Sequence, residues 1–371
     1  MSRLGENIYR RKDGRHEGRY VKGRMPNGKV KYGYIYGKSH EETGEKLKLV
    51  KQKCVGAAQN GKAFGGLLRE FLPLWLARLE QQVKPSTHAV YHRNIRVHIL
   101  PALGELRADK ISCKNVSAFV ELLREKGLSG RTIGGIVRLL QSILKDAVPG
   151  EDFRVELPKA NRNKVPVLTK TEQAKLERTA LYSGSDSAAV MLALYTGMRL
   201  GELCALRWRD VDLDEGIIHV RQTVQRIEIE KAGGGHGGRK TALVIGSPKT
   251  QSSERAVPIP SLLLHYLRGL MENSAGEYVL GRHGQVSDPR TVQYRFCILL
   301  QKSGIKRINF HALRHTYATR CLEKQIDVTT LSQLLGHTSP KMTLDVYTDS
   351  LMEHKQQAVQ VLNTHCMLRA A

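Results

Sequence analysis

The spacing of apolar residues changes twice along this chain, and no single domain pattern accommodates both changes. Up to about residue 62, "EGRYVKGRMPNGKVKYGYIYG" alternates in short tyrosine-rich stretches, with "PNG" at 26–28 as a turn between two of them. That pattern predicts a small antiparallel sheet, followed by a lysine-rich helix over roughly residues 40–58. From about 64 to 148 the period becomes helical. "FGGLLREFLPLWLARLEQQ" opens one helix, and "KPSTHAVYHRNIRVHILPALG" gives a second that ends before Pro101. "SCKNVSAFVELLREKG" starts on a Ser or Asn cap and stops at Gly127, and "SGRTIGGIVRLLQSILKDAV" completes a four-helix module. Residues 149–172, "PGEDFRVELPKANRNKVPVLTKTE", lack periodicity and read as a linker. The remainder, to about residue 365, mixes helices with the β segments "GIIHVRQTVQRI", "KTALVIGSPKT" and "SERAVPIP".

Charge narrows the partner. The 371 residues carry a formal net charge of +24, and residues 1–62 alone hold 16 Lys and Arg against 6 Asp and Glu. Such an excess points to a polyanion, with nucleic acid ahead of a membrane surface. No apolar run reaches the ~18 residues of a membrane span, and the first residues, "MSRLGENIYRRKDGRH", lack the apolar core of a signal peptide. The six cysteines (54, 113, 204, 297, 321, 366) form no CxxC pair and read as reduced thiols. The expectation is a soluble cytoplasmic protein. "KAGGGHGGRKTA" is not a phosphate-binding loop, because Arg239 separates Gly238 from Lys240; it reads as a hairpin tip.

"FHALRHTYAT" gathers His311, Arg314 and His315 within one and a half turns of a helix. The histidines share a face, but Ala312 stands where a zinc helix of the HExxH type needs its glutamate, and Arg314 would repel a dication. A guanidinium between imidazoles suits an anion instead. Arg199 follows an apolar helix at "TG", and Glu202, three residues later, can fix that arginine or cap the next helix. In "LSQLLGHTSPKMTLDVYTD" the helix ends at Gly336, His337 comes next, and Tyr347 follows in a short helix.

The stretches "TGMRLGEL", "HALRHTYAT", "LLGHTSPKMTLDVYT" and the basic hairpin "SPKTQSSERAVPI" resemble, in order and spacing, the tyrosine recombinase or phage integrase family. The likeness covers the whole catalytic domain, and the helical zone resembles the family's core-site-binding domain. The small basic sheet resembles the arm-binding domain of integrases from lambdoid phages and conjugative transposons. The resemblance implies a multidomain α+β fold in three parts. Residues 1–62 would be an arm-type DNA-binding domain (a three-stranded sheet plus a helix), and residues 63–155 a helical core-site-binding domain. Residues 165–365 would be a mixed, mainly α catalytic domain whose C-terminal helix packs on a neighbouring protomer or in cis.

Residue by residue, the resemblance makes Arg199 and Arg314 the pair that holds the scissile phosphate, and Lys249 the lysine that protonates the departing 5′-oxygen. His311 and His337 match the hydrogen-bonding positions that assist proton transfer, Glu202 the support of the first arginine, and Tyr347 the nucleophile. His315 matches a supporting position. It further implies double-stranded DNA as substrate at core and arm sites, a homotetramer on DNA, and no metal or cofactor. An excisionase and a host DNA-bending protein are implied accessories, and a prophage or conjugative transposon the source. Two rivals stay open: strand cleavage without exchange, as in a type IB topoisomerase, and a noncatalytic DNA-binding regulator.

Overall fold

The computed structural model describes residues 8–11, 14–24, 30–47, 63–159, 165–229, 240–248, 251–274, 276–281 and 284–347. The chain forms two compact units, residues 1–162 and 163–371. In the first, strands β1 (Ile8–Arg10), β2 (His16–Arg24) and β3 (Val30–Gly37) make an antiparallel sheet in the order β1-β2-β3. The "PNG" turn itself lies outside the described residues. Glycine parity decides the faces. Gly18, Ile35 and Gly37 point at helix α1 (residues 40–47), where a Cβ on Gly37 would collide with Thr43. The alternate residues Tyr32, Tyr34 and Tyr36 stay exposed. Arginines stack on that outer face, Arg19 lying 3.9 Å from the Tyr32 ring centre and Arg11 5.5 Å from that of Tyr36.

The helices of this unit are α2 (Leu68–Glu80), α3 (Pro85–Asn94), α4 (Leu100–Leu103), α5 (Cys113–Glu125) and α6 (Gly130–Ala147). Their apolar stripes bury Phe71, Trp75, Ile99, Phe119 and Leu140 in one core. Ser112 with Asn115 at the start of α5, and Gly127 at φ +70 behind it, fall where the sequence places them, and Ser129, accepting from the Thr132 N–H, caps α6. One expectation fails. The second helix does not end before Pro101. A π turn over Ile95–Ile99 lets the Leu100 N–H reach back to the Ile95 carbonyl, and that wider turn admits proline at the start of α4. The first half of the expected linker packs on this core, with Phe153 buried and its carbonyl accepting from Gln141 Nε2 at 2.8 Å.

The second unit runs α7 (Lys170–Tyr182), α8 (Ala188–Thr196), α9 (Leu200–Cys204), five strands, then α10 (Ser261–Glu272), α11 (Pro289–Lys302), α12 (His311–Glu323), α13 (Val328–Leu335) and α14 (Pro340–Tyr347). Helix α8 is apolar all round, and eight of its nine residues are buried, so it forms the axis of the core with Leu203, Ile218, Val257, Phe296 and Leu313. The strands are β4 (Val211–Asp212), β5 (Ile217–Val220), β6 (Thr223–Ile229), β7 (Lys240–Gly246) and β8 (Arg255–Pro258). They fall into two antiparallel groups, β4-β5-β8 and β6-β7. "SPKTQSSERAVPI" is therefore not a hairpin. β7 pairs with β6 while β8 pairs with β5, Val257 opposite Ile218, so the strands on either side of the basic stretch belong to different sheets. Burial of Ile218 and Val257 sets that pairing, and it outweighs the local turn signal. The glycine-rich segment joining β6 to β7 lies outside the described residues. Among those residues no helix is long and apolar enough to cross a membrane.

Candidate active site

Helix α13 stops at Gly336, which takes the left-handed conformation (φ +63) that favours glycine. The stop leaves carbonyls without helical partners at the negative end of the helix dipole. Three arginines from three other elements take three successive ones. Arg255 Nε, from β8, donates to the Leu334 carbonyl at 2.6 Å; Arg314 Nη2, from α12, to Leu335 at 2.6 Å; and Arg199 Nη2, from the N-cap of α9, to Gly336 at 3.2 Å. Arg314 Nη1 also donates to the Gly197 carbonyl at 2.7 Å, which ties α12 to the end of α8. Gly197 too is left-handed (φ +62), and a Cβ there would run into the Tyr317 ring.

Three like charges brought so close need a counter-charge, and Glu202 supplies it. Its carboxylate accepts from Arg199 Nη1 (2.8 Å), from the Arg199 backbone N–H (2.9 Å) and from Arg255 Nη2 (3.0 Å). Glu202 therefore does both things its spacing allowed, capping α9 and fixing the arginine. Burial works to raise its pKa, but Arg255 and Arg199 outweigh burial and hold it below the usual carboxylate value, so it stays ionised. Glu202 and Arg255 are 3% and 6% exposed, whereas the Arg199 side chain keeps 36%. Among the described residues Arg199 spends two of its side-chain N–H groups on Glu202 and Gly336, and a guanidinium has five. The remainder is the donor set an anion would meet.

Three histidines sit by these arginines. His311 and His315 open α12 with their rings edge to face, 4.8 Å between centres. His315 is buried, and burial, His311 and Arg314 push its pKa down to about 4. His311 is solvent-exposed yet also lowered, by the protein packed around its ring and by Arg314 and Arg199. His337 follows Gly336 directly, and burial together with Arg314, Arg199, Arg255 and His311 brings it down to about 4. Its Nδ1 lies 2.8 Å from Thr343 Oγ1 on α14. All three rings are thus neutral donors and acceptors near neutral pH.

The second unit accordingly brings Arg199, Glu202, His311, Arg314, His315 and His337 to one place, and Tyr347 is the last residue of α14, ten positions beyond His337. Lys249 lies outside the described residues. Two participants went unselected in the sequence. Arg255 shares its strand parity with buried Val257, and a cation on the inward side of a strand was the available signal. Thr343, fully buried, gave none, because threonine in a short helix is ordinary. Among the described residues no three His, Cys, Asp or Glu side chains are gathered to hold a metal ion.

Residues 166–354 match the model of the phage integrase family, and residues 67–123 match its N-terminal SAM-like domain. The chain belongs to the phage integrase family. Within it, a "Tyrosine recombinase XerC-like" protein of Caldanaerobacter subterraneus subsp. tengcongensis is 27% identical, over 92% of this chain and 94% of its own. The tyrosine recombinase XerA of Pyrococcus furiosus is 30% identical, over 68% of this chain and 81% of its own. Among solved structures, the Tn1549 transposon integrase in complex with transposon right end DNA shares the fold. Its TM-score is 0.64 at 23% identity, with 78% of this chain and 99% of that one covered. A lambda integrase dimer bound to a COC′ core site gives a TM-score of 0.57 at 21% identity, covering 93% and 95%. This integrase is a tyrosine site-specific recombinase with a mixed α+β fold.

Proposed function

We propose that this recombinase cleaves DNA by attack of the Tyr347 hydroxyl on a scissile phosphate. The product would be a 3′-phosphotyrosyl link and a free 5′-hydroxyl. The hydroxyl of a partner strand then reverses the reaction and restores an intact strand. Atoms balance throughout: one phosphate ester replaces another, the phenol loses its proton, and the leaving 5′-oxygen gains one. The observation that carries this reading is the seating of Arg199 and Arg314 on the adjacent carbonyls of Gly336 and Leu335, directly before the segment that bears Tyr347. Negative charge grows on the nonbridging oxygens during attack, and donors already fixed in place stabilise it without reorganisation, each on the order of 3 kcal/mol. His311 and His337 would add two neutral donors. Lys249 would protonate the leaving oxygen, and the same cations would favour the phenolate of Tyr347. His315 would hold His311 in place, and Glu202 would hold Arg199.

In this reading the first unit contributes two DNA contacts, a core site gripped by the helices 63–155 and an arm site met by the sheet 1–62. The outward row of Tyr32, Tyr34 and Tyr36 with Arg19 gives that sheet a face of cations and aromatic planes, of a width that suits a groove. Four protomers on two duplexes would exchange strands in two rounds, integrating and excising a mobile element or prophage. Bridging core and arm sites would call for bent DNA, and so for a host DNA-bending protein and an excisionase.

A nicked duplex from which the cut end diffuses away traps the covalent stage. Nicked duplexes tiling the DNA on either side of the coding sequence should yield a protein–DNA band on a denaturing gel, unaffected by EDTA and absent for Tyr347→Phe. Plasmid relaxation without joining of two sites would point to topoisomerase-like cleavage. Binding with no covalent band would point to a regulator.

A further inference from the structure

His337 is tied to the helix that carries Tyr347 through one side chain. Thr343 is fully buried, and its Oγ1 lies 2.8 Å from His337 Nδ1. A threonine inside a helix commonly turns its hydroxyl to the carbonyl four residues back. Thr316 does so to Ala312 at 2.9 Å, and Thr196 to Leu192 at 2.5 Å. Thr343 turns to the imidazole instead.

The hydroxyl has one hydrogen to place. Among the described residues the His337 ring is the hydroxyl's one hydrogen-bond partner, side chain or backbone. If Nδ1–H were the donor, the hydroxyl hydrogen would stay buried without an acceptor, which is unfavourable. With O–H donating to Nδ1, both groups are satisfied. Nδ1 then carries the lone pair, and the ring proton resides on Nε2.

We propose that Thr343 is a positioning residue that holds neutral His337 as its Nε2–H tautomer, so that Nε2 donates to a nonbridging phosphate oxygen during strand cleavage. This rests on the phosphotyrosine reading above. Tautomer control matters only for a neutral ring, since an imidazolium donates from both nitrogens, and the surroundings of His337 keep it neutral. The wrong tautomer would aim a lone pair at a phosphate oxygen. The same bond makes the position of the ring and that of α14 interdependent.

The test uses the full chain labelled with ¹⁵N-histidine, in which two-bond ¹H–¹⁵N correlations at neutral pH read each ring's tautomer. His337→Gln identifies the signal. Expected is Nε2–H for the wild type and for Thr343→Ser, and a mixture for Thr343→Val. Cleavage of the tiled nicked duplexes at saturating DNA should slow about three- to tenfold in Thr343→Val, with half-saturation unchanged and the rate restored in Thr343→Ser. An Nδ1–H wild-type ring, or Thr343→Val cleaving at the wild-type rate, overturns the proposal. If the valine variant does not fold, the tautomers of wild type and Thr343→Ser decide alone. A folded wild type that forms no covalent product defeats the phosphotyrosine reading instead, and with it the role of this tautomer in cleavage.

Discussion

Arg255 and Glu202 form a buried pair whose worth to the fold exceeds its worth as attraction. Removing Arg255 leaves Glu202 with Arg199 alone as counter-charge and the Leu334 carbonyl without its donor, in a site only a few per cent exposed. Arg255→Ala should therefore cost about 3–5 kcal/mol, lowering Tm by roughly 10 °C. In Glu202→Gln/Arg255→Ala the second loss should be much smaller than the first, as a double-mutant cycle of melts would show. The histidines set a second expectation. His315 and His337 titrate near 4 in the fold against an ordinary 6.5, so the unfolded chain binds their protons first. Stability is full above about pH 6.5 and is lost as pH falls toward about 4. Melts between pH 7.5 and 5, above the carboxylate range, should show the decline, and His337→Gln should flatten part of it. Sequence spacing alone brought His311 and His315 to one helix face and Glu202 to Arg199, because those contacts lie within one turn. Arg255 reaches Glu202 across 53 residues and Leu334 across 79, a relation no local pattern encodes.

Helix α13 is an unusual element because its end, rather than its face, organises the site. Three arginines from separate strands and helices converge on carbonyls 334–336, and that convergence depends on where the helix stops. Gly336 sets the stop. A Cβ there would lie 3.0 Å from Arg255 Nη1, in a left-handed backbone that alanine adopts at a cost of about 1 kcal/mol. Gly304, behind α11, has a similar φ of +66 with open space around it. Gly336→Ala and Gly304→Ala should lose comparable backbone stability, but only Gly336→Ala should also lose covalent cleavage, read on the trapping duplex. At this scale helix ends were legible, since Gly127, Gly336 and the Ser112 cap act locally. The pairing of β8 was not. The stretch after β7 carries turn residues, yet β8 pairs with β5 because Val257 and Ile218 must share one buried face. The π turn before Pro101 was likewise hidden, because a one-residue widening leaves the apolar stripe nearly unchanged.

Across the whole molecule, a net charge of +24 implies that counterion release dominates binding. Affinity for duplex DNA should fall linearly on a log–log plot against salt, by about a thousandfold or more between roughly 50 and 200 mM, with Tyr347→Phe giving the same slope. Affinity alone says little about catalysis, since a basic surface binds DNA with or without a nucleophile. The central claim is that one phenol becomes esterified to DNA beside Arg199 and Arg314, and mapping the adduct tests it directly. The trapped complex is digested with nuclease and trypsin, and the nucleotide-bearing peptide is sequenced by mass spectrometry. The result expected is a single 3′-phosphate adduct within residues 342–355, on Tyr347. An adduct on another residue, Tyr317 for instance, or a cleaved strand with no adduct at all, would contradict it.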